Sequence, residues 1–507
     1  MRKYGYCFVL AAALAALLAA GPCWAQGFKD LESKVVEKTL PNGLTVILLP
    51  RPKAPVTSMV TYANVGSVDE QVGGTGLAHI FEHIAFKGTT TIGTTDYANE
   101  KAAIQKEDAA FLALRAERLK RPKPDEAKIK ELEAAFKKAE DESEKYVVSN
   151  EFSEIIDREG GSGLNAFTGF DQTVYHYSFP SNKLELWAAL EWDRFTQPVL
   201  REFYKEKNVI MEERRMGESE PQGRLLNDFF PVAYAAHPYR SYIIGWQSDL
   251  EAMTKAQAED WFKTHYGAKN LTCVIVGDVD PATAMPVLEK WLGKIPAGQK
   301  PEPPVTVEPP QRAEKRIAME DPAQPFMIIA YHRPDVTSPD DSVYDAIDDI
   351  LGGGRSSRLY KSLVKEKKLA LYVGCSSTME AQKYPGLFVF FALPNKGKSN
   401  AECEAAIYEE IEKLKNTPVT PEDLEGLKAR AKAHFIDSIK SNMGLAMSMA
   451  FAQNLQGGWR EAFKTLDKID KVTAEDIQRV AKATFTKVNR TVGSVETVPP
   501  AGEGEKK

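Results

Sequence analysis

Residues 254–276 read TKAQAEDWFKTHYGAKNLTCVIV, and residues 473–495 read TAEDIQRVAKATFTKVNRTVGSV. Thr254, Lys263, Asn270, Thr272 and Val276 recur as Thr473, Lys482, Asn489, Thr491 and Val495, each pair 219 positions apart, with Tyr266 matched by Phe485. One offset held over 23 residues points to an internal duplication, and the first copy ends in an apolar run, 271–276, of the kind expected of a buried strand. Between the copies, residues 294–312 carry Pro296, Pro301, Pro303, Pro304, Pro309 and Pro310, which no regular helix or central strand accommodates. The chain is therefore expected to divide into a first domain, 26–293, a Pro-rich linker, 294–312, and a second homologous domain, 313–498, with a disordered tail, 499–507.

Upstream the offset changes. Residues 78–88 line up with 344–354 at 266 positions, so the first half holds about 47 residues that the second lacks. Residues 101–150, dense in Lys, Glu and Ala and broken at Arg121-Pro122-Lys123-Pro124-Asp125, supply them as an inserted charged helical hairpin. Strand patterns, such as 45–49 behind the turn at 40–44, are interspersed with helical ones at 281–292 and 401–415. The expected fold class is α+β: two homologous α+β domains, each a mixed or antiparallel sheet packed by helices.

The first half contains His79-Ile80-Phe81-Glu82-His83. Residues three and four apart share a helix face, so His79 and His83 can reach one metal ion with Glu82 beside its open position. This is the inverted zinc-hydrolase order. Thr75 and Gly76 ahead of the apolar run predict a capped and packed helix. A catalytic zinc takes a third protein ligand. Glu206 and Glu213 lie two helical turns apart and can point the same way, with Glu212 a rival about 100° round the helix. In the second half the aligned residues are Asp345, Asp348 and Asp349, read as an acidic exposed helix face, so one Zn2+ is expected per chain.

Arg2 and Lys3 precede a wholly apolar stretch, 8–20, and small residues end it near Ala25, which reads as a signal peptide over 1–25. Its removal takes Lys and Arg from 65 to 63 against 71 acidic residues, a net charge of −8 that favours no nucleic acid. The expectation is an exported chain, in a bacterial periplasm, without a membrane span once mature. Cys273, Cys375 and Cys403 then remain, enough for at most one internal disulfide.

His79, Glu82 and His83, followed by Lys87-Gly88-Thr89, by Gly163-Leu164-Asn165-Ala166 with Thr168, Thr173 and Tyr175, and by Glu206 to Glu213, resemble the pitrilysin, insulysin and mitochondrial processing peptidase family of zinc metallopeptidases. The match runs over residues 35–495 and includes the second-half stretch 351–360. The resemblance implies that Glu213 is the third zinc ligand and Glu206 its supporting carboxylate, and that Glu82 is the catalytic base. It also implies that Asn165, Ala166 and Thr168 bind an extended peptide on an edge strand. The family's Arg and Tyr, seven apart in the non-zinc half, have no clean counterpart: the register gives Val364 and Leu371, or Lys365 and Tyr372 one step on. Tyr372 and Arg355 are the candidates for substrate or carbonyl contact. Two domains are half of a four-domain clamshell, so the resemblance implies a dimer, with a sister chain lacking His-x-x-Glu-His as a candidate source of the Arg and Tyr. The function expected is a zinc endopeptidase. The alternatives are a non-catalytic assembly subunit of the same fold and a maturation protease for one precursor.

Overall fold

The computed structural model describes residues 30–499 and shows two mixed sheets, one in each half. The expected signal peptide, and all but the first residue of the expected tail, lie outside the described residues. In the first half the elements that position the site are β1 (Val36–Thr39), β2 (Thr45–Pro50), β3 (Val56–Ala63), α1 (Leu77–Ile84), α2 (Tyr97–Arg118), α3 (Glu126–Ser143), β4 (Ser162–Thr168), β5 (Thr173–Pro180), α4 (Phe203–Ser219), α5 (Pro221–Ala233), α6 (Lys255–His265) and β6 (Leu271–Gly277). The strand order is β1-β2-β6-β3-β5-β4, with only β2 and β6 parallel. The second half repeats it with β7 (Lys315–Asp321), β8 (Phe326–Arg333), α7 (Asp341–Gly352), β9 (Ala370–Ser376), β10 (Gly386–Pro394), α8 (Asn442–Leu455), α9 (Ala474–Thr484) and β11 (Arg490–Thr497). Its order is β7-β11-β8-β10-β9, and only β7 and β11 run parallel. Apart from β1, the two sheets share one topology.

The repeated residues turn out to do the same physical work in both copies. Thr254 caps α6 by accepting from the Gln257 amide, and Thr473 caps α9 by accepting from Asp476. Asn270 donates through Nδ2 to the carbonyls of His265 (2.8 Å) and Asn64 (3.0 Å), tying helix end to strand end. Asn489 does likewise with Thr484 (3.0 Å) and His332 (2.8 Å). Tyr266 and Phe485 both stand in their cores.

β2, β6, β8 and β10 are buried on both faces, which is why they read as near-continuous apolar runs, whereas β1 and β7 at the sheet edges are exposed or half-exposed. Along β2, Val46 and Leu48 point into the first core, whereas Ile47 and Leu49 pack on the opposite face against Leu445, Ala446 and Met449 of α8. The second sheet is covered reciprocally. Ile328 and Ala330 of β8 meet Leu225, Phe229 and Phe230 of α5. The halves thus exchange helices, and neither buries its sheet alone. The Pro-rich segment between them has no regular structure, yet Glu308 within it accepts from the amides of Ala235, Ala236 and His237 at 2.7–3.0 Å.

The inserted hairpin is α2 and α3, starting at Tyr97, a few residues earlier than expected, and turning through 119–125. Cys273, Cys375 and Cys403 are all free thiols. Among the described residues no helix is long and apolar enough to cross a membrane.

Candidate metal centre

Leu77, Ala78, Ile80, Phe81 and Ile84 bury one side of α1 in the first core, which turns His79, Glu82 and His83 toward α4 and β4. Thr75 is not the cap. The amides of Gly76 and Ala78 donate instead to the buried carboxylate of Glu70, both at 2.8 Å. Thr75 holds the loop from the other side, donating to Asp249 (2.7 Å) and accepting from the Trp246 amide (2.8 Å). Gly76 makes this arrangement possible. Its φ of 91° suits glycine, and a Cβ there would sit 2.9 Å from the Ile244 carbonyl oxygen.

Nε2 of His79 and Nε2 of His83 each lie 3.8 Å from Oε2 of Glu213, and the three donor atoms fall within 4.8 Å of one another. That spacing is too long for hydrogen bonds. It suits donors that share an ion at ~2.0–2.2 Å from each. Burial, with His83 beside it, pushes the His79 imidazole down to about 4, so the ring is neutral and its lone pair available at neutral pH. Nδ1 of His79 is buried without a hydrogen-bond partner. Among the described residues no other trio of His, Cys, Asp or Glu converges in this way. The residues present therefore fit a zinc ion: two imidazoles, one carboxylate and an open side. Glu212 points elsewhere, bound to Arg215 at 2.7 Å on the surface.

Glu206 lies one turn pair earlier on α4 with its side chain 8% exposed, taking Nδ1 of His83 at 3.3 Å and Nζ of Lys87 at 2.6 Å. Burial works against its charge, but the bonds to His83 and Lys87 outweigh burial and hold Glu206 below the usual carboxylate range. A carboxylate on Nδ1 fixes the His83 tautomer that presents Nε2 as a lone pair. Glu206→Gln is therefore expected to weaken zinc binding about 10- to 100-fold, read by competition with a chromogenic chelator.

Glu82 receives the Thr168 hydroxyl at 2.7 Å, and burial raises its pKa above the ordinary value. Thr168 thus serves Glu82. Asn165 and Ala166 lie on β4, the outer strand of the first sheet, paired only with β5. Beside them opens a cleft of about 530 Å³ lined by His79, Glu82, Thr168, Gln172 and Glu213.

The second half reaches this cleft, but not with the residues expected. Tyr372 is 58% exposed on β9 and stacks on Phe391 with ring centroids 5.6 Å apart, while Arg355 is exposed in the turn at 354–356. Neither lines the cleft; Glu380 and Gln382, from the loop joining β9 and β10, do. The cause is a buried anchor. Asp171 accepts from the amides of Gln382 (2.7 Å) and Lys383 (3.0 Å) and from the Tyr239 hydroxyl, drawing that loop across the first half. No sequence motif announces Glu380 or Gln382.

Two of the three second-half carboxylates, Asp348 and Asp349, are less open than expected. Asp345 accepts from the Ser377 hydroxyl (2.7 Å), Asp348 from the Ser377 amide (3.2 Å), and Asp349 pairs with Arg430 (2.5 Å). Asp345 is exposed, as expected, and Asp348 and Asp349 are half-buried; each has a local partner that helps to hold α7 in place.

Residues 45–114 and 135–245 match the model of the family described as Insulinase (Peptidase family M16), and residues 252–431 match that described as Peptidase M16 inactive domain. The first match is interrupted across the turn of the hairpin. The chain is 27% identical over 466 residues to a zinc protease, PqqE, of Helicobacter pylori, covering 89% of this chain and 90% of that one. It is 20% identical to the mitochondrial-processing peptidase subunit beta of Saccharomyces cerevisiae, covering 92% and 93%. The crystal structure of a protease from Helicobacter pylori superposes with a TM-score of 0.75 at 25% identity, covering 91% of this chain and 99% of that one. The periplasmic protease PqqL of Escherichia coli superposes at 0.68 with 16% identity, covering 94% of this chain but 49% of that longer one. With both halves matched to its models and the inverted His and Glu set gathered at one point, the chain belongs to peptidase family M16, the insulinase or pitrilysin family of zinc proteases.

Proposed function

We propose that the protein is a zinc-dependent endopeptidase that cleaves extended peptides. The observation that carries this reading is the convergence of His79, His83 and Glu213 with Glu82 held beside them by Thr168. Zinc, when bound, supplies Lewis acidity that polarises a scissile carbonyl and eases deprotonation of a water. Glu82 accepts that proton and delivers it to the leaving amine. Thr168 aims the carboxylate, so Thr168→Val should lower kcat about 10- to 100-fold through loss of a hydrogen bond to a charged group, with little change in zinc content. The outer edge of β4 offers the main chain of Asn165 and Ala166 to a peptide laid down as an added strand, a mode that selects unfolded segments.

The same reading extends to location and assembly. Export to a periplasm is supported by the apolar N-terminal stretch and by a structural neighbour described as periplasmic. A dimer, with a second chain completing the cleft, is supported by a lining that contains neither Arg nor Lys. Purified mature protein should hold about one zinc and cleave a quenched fluorescent peptide, lose activity to a chelator and regain it with zinc. Metal without turnover, even after candidate partner chains are added, would favour an assembly role instead. Cleavage of a single precursor, with unrelated peptides left intact, would mark a maturation protease.

A further inference from the structure

Resting on the zinc site read above, we propose that the inserted hairpin is a brace for the carboxylate helix: Asp108 and Phe111 of α2 hold Tyr204 and Lys207 on the back of α4, and so hold Glu206 and Glu213 against the two histidines. The argument begins with helix geometry. Glu206 and Glu213 are about 20° apart around α4, whereas Tyr204 and Lys207 lie about 160° and about 100° from Glu206. One side of α4 therefore belongs to the metal and the other to the hairpin.

The back side is densely built. Tyr204 is buried, its ring centroid 4.1 Å from Phe111 of α2 and 5.4 Å from Phe136 of α3, and its hydroxyl donates to Asp108. Lys207 is 3% exposed, with Nζ 3.9 Å from the centre of the Phe111 ring. It donates to the carbonyls of Glu251 (3.2 Å) and Met253 (3.1 Å), at the end of the short helix Gln247–Ala252. Arg115 of α2 reaches the same helix end, donating to the Ala252 carbonyl at 2.6 Å. Ring and carbonyls together stand in for water around the buried Lys207 amine, whose pKa burial, with Arg118 and Arg115 nearby, pushes down to about 7.

A second fastening lies at the base of the hairpin. Arg201, just ahead of α4, and Glu100 of α2 form an ion pair (Nη2 to Oε2, 2.8 Å) with side chains 1% and 0% exposed. The same guanidinium donates to the carbonyls of Lys87 (2.7 Å), Thr89 (2.9 Å) and Ile92 (3.0 Å). These carbonyls belong to the loop that leaves α1. One helix of the insertion thus clasps both the segment after the histidines and the helix bearing the glutamates. Glu100, Asp108, Phe111 and Phe136 fall within the family match, whereas 115–134, which holds Arg115, the turn and the start of α3, falls outside it. The hairpin tip carries an exposed Arg118–Glu133 pair at 2.7 Å, which supplies a control.

The test measures zinc affinity by chelator competition and ligand geometry by the visible spectrum of the cobalt-substituted full chain. Phe111→Ala should weaken zinc binding by about 10-fold or more and shift the cobalt bands. Phe111→Leu should restore most of both, and Glu133→Gln should change neither. A folded Phe111→Ala variant with wild-type affinity and spectrum overturns the brace. Should that variant fail to fold, Tyr204→Phe, which deletes the hydroxyl bonded to Asp108 and keeps the ring, decides: a several-fold loss supports the brace and no change overturns it. Wild-type protein that binds no zinc at all would instead overturn the zinc reading itself.

Discussion

Glu82→Gln is expected to remove peptide hydrolysis, by roughly 10²- to 10⁴-fold in kcat, while the protein keeps its zinc. The amide is nearly the same size, and Thr168 can still donate to its carbonyl oxygen, so the packing of α1 is preserved. What disappears is the ability to take a proton from the attacking water. Glu82 lies outside the converging trio of donor atoms, so metal content should remain at one per chain. Metal analysis and a continuous peptide assay on the same sample check both halves of the expectation. Residual activity within tenfold of wild type would remove Glu82 from the chemistry.

Glu213→Gln is expected to act on the metal first. Its Oε2 is the atom that both imidazoles face at 3.8 Å, and replacing it with a neutral amide removes the one anionic ligand of the trio. Zinc affinity should fall by more than the roughly 100-fold that outer-shell changes cost, and activity should return only partly at high zinc. Glu212→Gln, which breaks only the surface pair with Arg215, should leave affinity unchanged. Loss of metal in Glu212→Gln with retention in Glu213→Gln would reverse the ligand assignment. The contrast is informative because the two residues adjoin, sharing one helix and one local stability.

Much of this arrangement is legible in the chain because local physics dictates it. The offset of 219 is visible since Thr254 and Thr473 are needed as caps and Asn270 and Asn489 as ties, roles that few other side chains fill. His79 and His83 are readable as partners since their spacing alone puts them on one helix face. The seven-residue spacing of Glu206 and Glu213 works the same way. The inserted hairpin is legible from charge and a Pro break.

The remainder depends on contacts between distant segments. Glu70 caps α1 only because the loop from 70 to 76 folds back, and Thr75, a good cap by type, is drawn off to Asp249 and Trp246. Glu380 and Gln382 come to the cleft because a buried Asp171 binds the amides beside them, a pairing without local signature. Tyr372 has the right residue type near the expected register, but β9 turns it outward onto Phe391. The apolar faces of α5 and α8 predict burial, yet nothing in their patterns says that each covers the other half's sheet.

The most direct test of the central claim is a crystal structure of the zinc-loaded Glu82→Gln chain with anomalous data collected at the zinc edge. The account predicts one strong peak per chain, ~2.0–2.2 Å from Nε2 of His79, Nε2 of His83 and a carboxylate oxygen of Glu213. A peak bound elsewhere, or one that engages the histidines while Glu213 stays apart, would contradict it.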